Sequence, residues 1–355
     1  MNWKHLSNCK VIRLNATLFP VSKFETKLYQ KYCFNPLQIE ANTPDEIIPH
    51  VSDCDAIFAI AVSLPKVVIE SLSRCRVISR LGTGTDKIDV ETATQKGILV
   101  TNVPYFCVEE QADHTMAFLL ALARKLPQMS QAMQEGAWSR SKVQAGSNQR
   151  LSNCVLGLIG FGNSAQAVAK RARGFGLKVL ATRRNMSASK HEANCLGVEM
   201  VSLDDVLSES DYLSLHLPLT SQTYHLIDQN AFNKMKPGAY LINTSRGALV
   251  DENALVEVLE NGYLAGAGLD TFERINPFSE TETPLDDPLL SFDNVVLTPH
   301  VAAHSIQAAQ DVAEGGIQNV VSILSNHWPK PENVVNPEVK PIFPLTDYGA
   351  AMFLD

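Results

Sequence analysis

The stretch "GLIGFGNSAQAVAKRARGFG", residues 157–176, sets Gly160, Gly162 and Ala165 between an apolar run and an amphipathic one. The residues before it, "VLGLIG" (155–160), read as a buried strand, and those after it as a helix. In a strand–turn–helix of this kind the first glycine permits a tight turn and the second lets a pyrophosphate approach the backbone. The third small residue lets helix and strand pack closely, and the helix N-terminus attracts the anion. Tight turns also use glycine for geometry alone. Here the strand before, the helix after and the next strand, "KVLAT" (178–182), supply the context that dinucleotide binding requires. Gly160, Gly162, Asn163 and Ser164 are therefore candidate cofactor-binding residues.

About 20 residues beyond the second glycine, the end of the second strand is where an acid would bind both hydroxyls of an adenosine ribose. The stretch "VLATRRN" (179–185) holds Arg183 there, followed by Arg184. A carboxylate repels a 2′-phosphate, whereas a guanidinium can grip it through paired hydrogen bonds. The expected cofactor is NADP(H) in preference to NAD(H), which stays possible. The alternative is that both arginines simply lie on a solvated loop.

From residue 154 onward, β-rich apolar runs alternate with helical patterns, the signature of a parallel sheet covered by helices. Strands are expected at 155–160, 178–182, 198–201, 212–217, 239–243, 265–270 and 294–299, and Ser202 and Asp251 are good helix N-caps. The first hundred residues repeat the style less clearly, with strands expected at "KVIRLN", "DAIFAI", "RVISRL" and "ILVTN". A helix from about Val108 to Lys125 joins the halves. Its stretch "MAFLLALA" (116–123) is too apolar all round to face solvent, so burial between domains or subunits is expected. The pattern after residue 300 reads as a long helix that returns the chain to the first domain. The tail from Lys340 has too little pattern to assign, and either packs on the surface or frays.

Composition is that of an ordinary globular chain. Its 355 residues are 45% hydrophobic and 19% charged, enough for two domains. A net charge of −8 without a dense basic block argues against nucleic-acid or anionic-membrane partners. The N-terminus "MNWKHLSNCKVIRLN" lacks the continuous apolar core of a secretory signal, and the most apolar run, 116–123, is too short to span a bilayer, so a cytoplasmic location is expected. Seven scattered cysteines without a Cys-x-x-Cys pair read as reduced structural thiols, with no metal site.

Polar groups stand just beyond the carboxyl ends of the late strands: Arg246 in "LINTSRGALVDENAL", Asp270 and Glu273 in "GAGLDTFERINP", and His300 in "NVVLTPHVAAH". Such ends face the ligand crevice of an open parallel sheet. A ketoacid reductase needs a cation to hold the carboxylate and polarise the keto oxygen, a proton donor beside that oxygen, and a hydride-bearing cofactor. Arg246 and His300 fit the first two roles. Singly, each has a plainer alternative, a surface charge or a structural histidine.

The chain resembles the D-isomer-specific 2-hydroxyacid dehydrogenases. The resemblance runs from "RLGTGTDKIDVETATQKGILVTNVP" (80–104) through "ADHTMAFLLALAR", "GAWSR", "LGLIGFGNSA", "LHLPLT", "INTSRGALVDENAL" and "GAGLDTFE" to "VVLTPHVA", with thinner similarity at "NVVNPE". It implies an α/β fold: a Rossmann nucleotide-binding domain (104–300) and a flavodoxin-like substrate domain split between residues 1–103 and 301–355. It further implies that the backbone of Leu81, Gly82, Thr83 and Gly84 binds the substrate carboxylate. Arg246 binds substrate, His300 is the general acid/base, Asp270 sits by the nicotinamide amide, and Pro218 and Thr244 lie along the cofactor. A homodimer is implied as well.

One departure stands out. Family members read Asp-Val-Phe-x-x-Glu-Pro, where the Glu pairs with the catalytic His and raises its pKa. This chain reads "DTFERINPF", with Ile275 at that position by count or Asn276 by anchoring on Pro277. Either Glu273 reaches His300 after a local backbone shift, or the His works with a weaker partner. Asp113 in "ADHT" also stands where Glu is common, and is equally readable as structural. The leading expectation is NADPH-dependent reduction of a small 2-ketoacid such as glyoxylate or hydroxypyruvate. The alternatives are NAD-linked oxidation of a D-2-hydroxyacid such as 3-phosphoglycerate, and a non-catalytic cofactor-sensing interaction protein on the same fold. Many phosphoglycerate dehydrogenases carry a regulatory domain that is not expected after "NVVNPE".

Overall fold

A computed structural model describes residues 3–186, 190–278, 286–348 and 353. The chain divides into two compact units, one made of Met1–Phe106 with Ser305–Asp355 and the other of Cys107–His304. These boundaries fall a few residues after those expected at 103/104 and 300/301.

The first unit is a parallel five-stranded sheet of β1 (Val11–Leu14), β2 (Leu37–Ile39), β3 (Ala56–Ala59), β4 (Val77–Arg80) and β5 (Leu99–Thr101), in the order β2-β1-β3-β4-β5. That 2-1-3-4-5 order is flavodoxin-like. Strands β1 and β3 inside the sheet and β5 at its edge are buried along their whole length, as continuous apolar runs in a doubly covered parallel sheet should be. Strand β2, "LQI", is short, largely exposed and polar at its middle residue, and it had no recognisable sequence signature. The returning helix Ile306–Leu324 lies close against β4. A Cβ on Gly316 would stand 2.1 Å from the Leu81 side chain, and the Ser79 hydroxyl donates to the Gly316 carbonyl at 3.2 Å. The described part of the tail packs rather than frays. The Arg76 guanidinium lies 4.1 Å from the Phe343 ring centroid, and Phe353 stacks on Trp3 at 6.5 Å. Residues 349–352, 354 and 355 of that tail lie outside the described residues.

The second unit is a parallel seven-stranded sheet: β6 (Val155–Ile159), β7 (Lys178–Thr182), β8 (Glu199–Met200), β9 (Tyr212–Leu215), β10 (Tyr240–Asn243), β11 (Gly266–Leu269) and β12 (Val295–Leu297). The order β12-β11-β10-β9-β6-β7-β8 places the reversal of strand order between β6 and β9, the crevice where open α/β sheets bind ligands. Ser202 and Asp251 cap their helices as expected, accepting from Asp205 N and from Asn253 N and Ala254 N.

The apolar helix requires a correction. Val108–Ala123 finds its apolar partners inside the second unit, in one core with β6, β7 and the helix Asn163–Gly174, so its burial needs no second domain or subunit. Its Phe118 ring occupies the space over Gly268 that any side chain would fill, since a Cβ there would lie 2.8 Å from the ring. A helix covering a parallel sheet is apolar on a wide face for the same reason that an interface helix is, so hydrophobicity alone did not distinguish them.

Candidate active site

Gly160 sits at φ +92°, and a Cβ there would stand 2.1 Å from the His216 carbonyl oxygen, so both conformation and space demand glycine. The Gly160 N–H donates to the Thr182 carbonyl at 2.9 Å, which ties the turn to the last residue of β7. Gly162 is the N-cap of the helix Asn163–Gly174, and among the described residues nothing lies within 4 Å of where its Cβ would be. Among the described residues the Asn163 and Ser164 N–H groups of that first turn have no acceptor, as an anion site needs. Arg183 follows β7 directly and is half-buried, whereas Arg184 is exposed and donates from Nη1 to Gln222 Oε1 at 3.1 Å. The cradle fits a dinucleotide phosphate, and a cation stands beside the strand end to which the turn is bonded.

His216, which the sequence reading passed over, lines the same turn. Its Nε2 lies 2.9 Å from Ser214 Oγ and its Nδ1 3.4 Å from Ser164 Oγ. Burial pushes its ring pKa down to about 4, so the imidazole is neutral near pH 7. Pro218 is exposed just past β9, and its carbonyl accepts from Thr223 Oγ1 at 2.8 Å. Thr244 is only 4% exposed and is tied to the apolar helix: Gln111 Nε2 donates to its carbonyl at 2.8 Å and its hydroxyl meets Thr115 Oγ1 at 3.1 Å.

Arg246, Asp270 and His300 follow β10, β11 and β12, three neighbouring strands, at their carboxyl ends. Arg246 is half-buried on extended backbone, and its Nη1 donates to the Ser245 carbonyl at 2.7 Å. The glycine after it is needed for approach rather than conformation: a Cβ on Gly247 would stand 1.9 Å from the Phe272 carbonyl carbon. Asp270 is 1% exposed, and its carboxylate accepts from Thr298 Oγ1 at 2.6 Å, Val301 N at 2.8 Å and Ala302 N at 3.0 Å. His300 lies inside this clasp at φ +58°, a conformation that costs a non-glycine residue about 1 kcal/mol or more and so must be held by its neighbours. The His300 ring also meets Phe278, with centroids 5.0 Å apart.

Glu273 does not pair with His300. Its Oε1 accepts from the Tyr224 hydroxyl at 3.0 Å and its Oε2 lies 2.9 Å from His225 Nε2. The backbone shift that would bring it to His300 is blocked on two sides. Gly247 packs against the 272–273 peptide, and buried Glu252 accepts from Glu273 N at 2.7 Å and Arg274 N at 3.2 Å. Burial raises the Glu252 carboxyl pKa against those two hydrogen bonds, which lower it. Asp113 is structural as well, bonded at 2.6 Å to Arg171 of the helix Asn163–Gly174.

In the first unit, the loop at Leu81–Gly84 has two of its four amides already engaged: Leu81 N donates to Ala59 O at 3.1 Å and Gly82 N to Arg80 O at 3.0 Å. Arg80 braces the loop through the Leu81 and Gly84 carbonyls, and Asn102 Nδ2 donates to the Thr83 carbonyl at 2.7 Å. Among the described residues the Thr83 and Gly84 N–H groups have no acceptor, so these two remain available to an anion.

Residues 116–302 match the family model of the D-isomer-specific 2-hydroxyacid dehydrogenase NAD-binding domain. The chain belongs to that family. It is an NAD(P)-dependent oxidoreductase. A glyoxylate reductase of Korarchaeum cryptofilum is 39% identical over 84% of this chain and 87% of its own length. A D-3-phosphoglycerate dehydrogenase of Archaeoglobus fulgidus is 36% identical over 86% of this chain and 57% of its own length. Among solved structures, an NADPH-dependent glyoxylate/hydroxypyruvate reductase from Sinorhizobium meliloti, in complex with NADP and malonate, superposes with a TM-score of 0.78 at 28% identity. The match covers 93% of this chain and 98% of that one.

Proposed function

We propose that this 2-hydroxyacid dehydrogenase reduces a small 2-ketoacid, glyoxylate or hydroxypyruvate, with NADPH as the preferred cofactor. The observation that carries this reading is the set of Arg246, Asp270 and His300 beyond three adjacent strands, with His300 flanked by Thr298 on one side and the Val301 and Ala302 amides on the other, all held by Asp270. Arg246 holds the carboxylate and polarises the keto oxygen, and His300 donates a proton to that oxygen. A bound nicotinamide cofactor would supply the hydride. The free Thr83 and Gly84 amides are the proposed carboxylate binders of the first unit, replacing the whole Leu81–Gly84 stretch. Glu273 is assigned no catalytic role.

The preference for NADPH rests on Arg183 beside the phosphate turn, with Arg184 as a second cation. Asn163 and Ser164 would donate their amides to the pyrophosphate, and Pro218 and Thr244 would lie along the cofactor. Oxidation of 3-phosphoglycerate with NAD is the second reading, favoured by the phosphoglycerate dehydrogenase relative. We further infer a cytoplasmic homodimer. The helices Leu126–Gln134 and Trp138–Ala145 expose Leu126, Met133, Trp138 and Val143, an apolar display of the kind that marks subunit contacts. Among the described residues no helix is long and apolar enough to cross a membrane. The deciding experiment is a panel of glyoxylate, hydroxypyruvate and 3-phosphoglycerate assayed with each nicotinamide cofactor. Ketoacid turnover favouring NADPH supports the reading, and activity on 3-phosphoglycerate alone overturns it. Sedimentation as a monomer at micromolar concentration would reject the dimer.

A further inference from the structure

His114 of the apolar helix comes within hydrogen-bond reach of the clasp around His300. Its Nε2 lies 2.9 Å from Thr298 Oγ1 and 3.8 Å from Asp270 Oδ1, and its ring meets Phe118 edge-on with centroids 4.6 Å apart. The proton inventory fixes the direction of these bonds. Asp270 accepts from two backbone amides, Val301 N and Ala302 N, as an ionised carboxylate does. An ionised carboxylate only accepts, so the Thr298 hydroxyl must give its single proton to Oδ1, at 2.6 Å. Thr298 Oγ1 can then meet Nε2 only as an acceptor, and His114 must carry its proton on Nε2. Burial lowers the His114 pKa more strongly than the nearby Asp270 carboxylate raises it, which favours a neutral ring.

We propose that His114 is a positioning residue for the proton donor, its Nε2–H holding Thr298 so that Thr298 and Asp270 together keep His300 in its left-handed backbone conformation. The relay has four links: His114 Nε2–H to Thr298 Oγ1, Thr298 O–H to Asp270, and Asp270 to the amides of Val301 and Ala302, which immediately follow His300. Remove the first donor and the Thr298 hydroxyl is free to rotate. Oδ1 then shares its two bonds less tightly, and the φ +58° residue loses part of what over-determines it. Phe118 packs against the His114 ring, so an apolar side chain fits the same space without donating. The proposal rests on His300 as the proton donor of the ketoacid reduction.

Two measurements test it. Nitrogen-15 NMR of the histidine-labelled full chain at pH 7.5 should show His114 as the neutral Nε2–H tautomer, and the Nδ1–H tautomer or an imidazolium would overturn the relay whatever the enzyme's substrate. Kinetically, His114→Leu should lower kcat for the ketoacid about tenfold with less than about a threefold change in KM for either substrate. His114→Gln can place an amide N–H near the Nε2 position and should restore kcat to within about threefold of the parent. Equal activity of the Leu and Gln variants would overturn the proposal, as would a Thr298→Val variant that kept full kcat. If the parent turns over no 2-ketoacid, the reaction assigned above fails, and the tautomer still decides the inference.

Discussion

The Asn243 side chain closes the turn that presents Arg246: its Nδ2 donates to the Arg246 carbonyl at 2.8 Å and its Oδ1 accepts from Ser245 N at 3.0 Å. Asn243 is the last residue of β10 and only 1% exposed, so water does not compete for these bonds. Asn243→Leu would leave a buried amide and a carbonyl unpaired, at roughly 1–3 kcal/mol for each buried group. The expected outcome is a raised KM for the ketoacid together with a lower kcat, because the cation that orients the carboxylate is displaced. Steady-state kinetics with urea unfolding checks both parts, and unchanged KM would show that the turn holds its shape without Asn243.

Replacement of the two reacting groups should separate their roles. His300→Ala is expected to lower the reduction rate by roughly two to four orders of magnitude with cofactor affinity nearly unchanged, as for loss of a general acid. Arg246→Ala should damage KM and kcat together, since one guanidinium binds the carboxylate and stabilises the developing charge. Retained activity in both variants would move the active site elsewhere.

Glu273→Gln should leave the pH–rate profile of reduction superimposable on that of the parent, because its carboxylate faces Tyr224 and His225. The pair with His225 is partly exposed, with side-chain exposures of 28% and 27%, so its loss should cost no more than about 1 kcal/mol of stability. A basic limb displaced to lower pH would instead make Glu273 the carboxylate that supports imidazolium at His300.

Arg183→Asp should weaken NADPH binding and improve NADH use. One change removes a cation from the 2′-phosphate and supplies an acceptor for a 2′-hydroxyl. A charge-assisted contact of this kind is worth about 1.5 to 3 kcal/mol, roughly tenfold to more than a hundredfold in affinity. Arg184→Ala should shift preference in the same direction by less. Fluorescence titration with both cofactors reads the ratio, and an unaltered ratio removes Arg183 from the phosphate site.

Acid should loosen the phosphate turn before it unfolds the rest of the second unit. The His216 ring titrates at about 4 in the folded chain against about 6.5 when unfolded. The unfolded state therefore takes up the proton first, and stability is complete above pH 6.5 and declines as pH falls toward 4. The decline attributable to this ring is about 3 to 3.5 kcal/mol at most. His216→Gln should flatten the stability-against-pH slope in that window, measured by urea unfolding at several pH values. An unchanged slope would assign the acid sensitivity to other groups.

The sequence alone determined the two parallel α/β units, the place of the glycine-rich turn and the positions of Arg246, Asp270 and His300. These follow from local signals: strands buried on both faces are continuous apolar runs, glycines mark turns with special conformation, and functional groups follow strand ends. Even the limits of β7 could be read from its five residues, because an apolar run there is bounded by polar residues on both sides. What only the tertiary structure decided is which side chains meet. Glu273 was close enough in sequence to be offered to His300, but Gly247 and Glu252 fix its backbone so that its carboxylate turns to His225, 48 residues away. His114 and Thr298 lie 184 residues apart, and no periodicity of either segment foretells their bond. A helix pattern tells how apolar a face is and not what covers it, which is why the stretch 116–123 was legible as buried while its partner, the sheet of its own unit, was not.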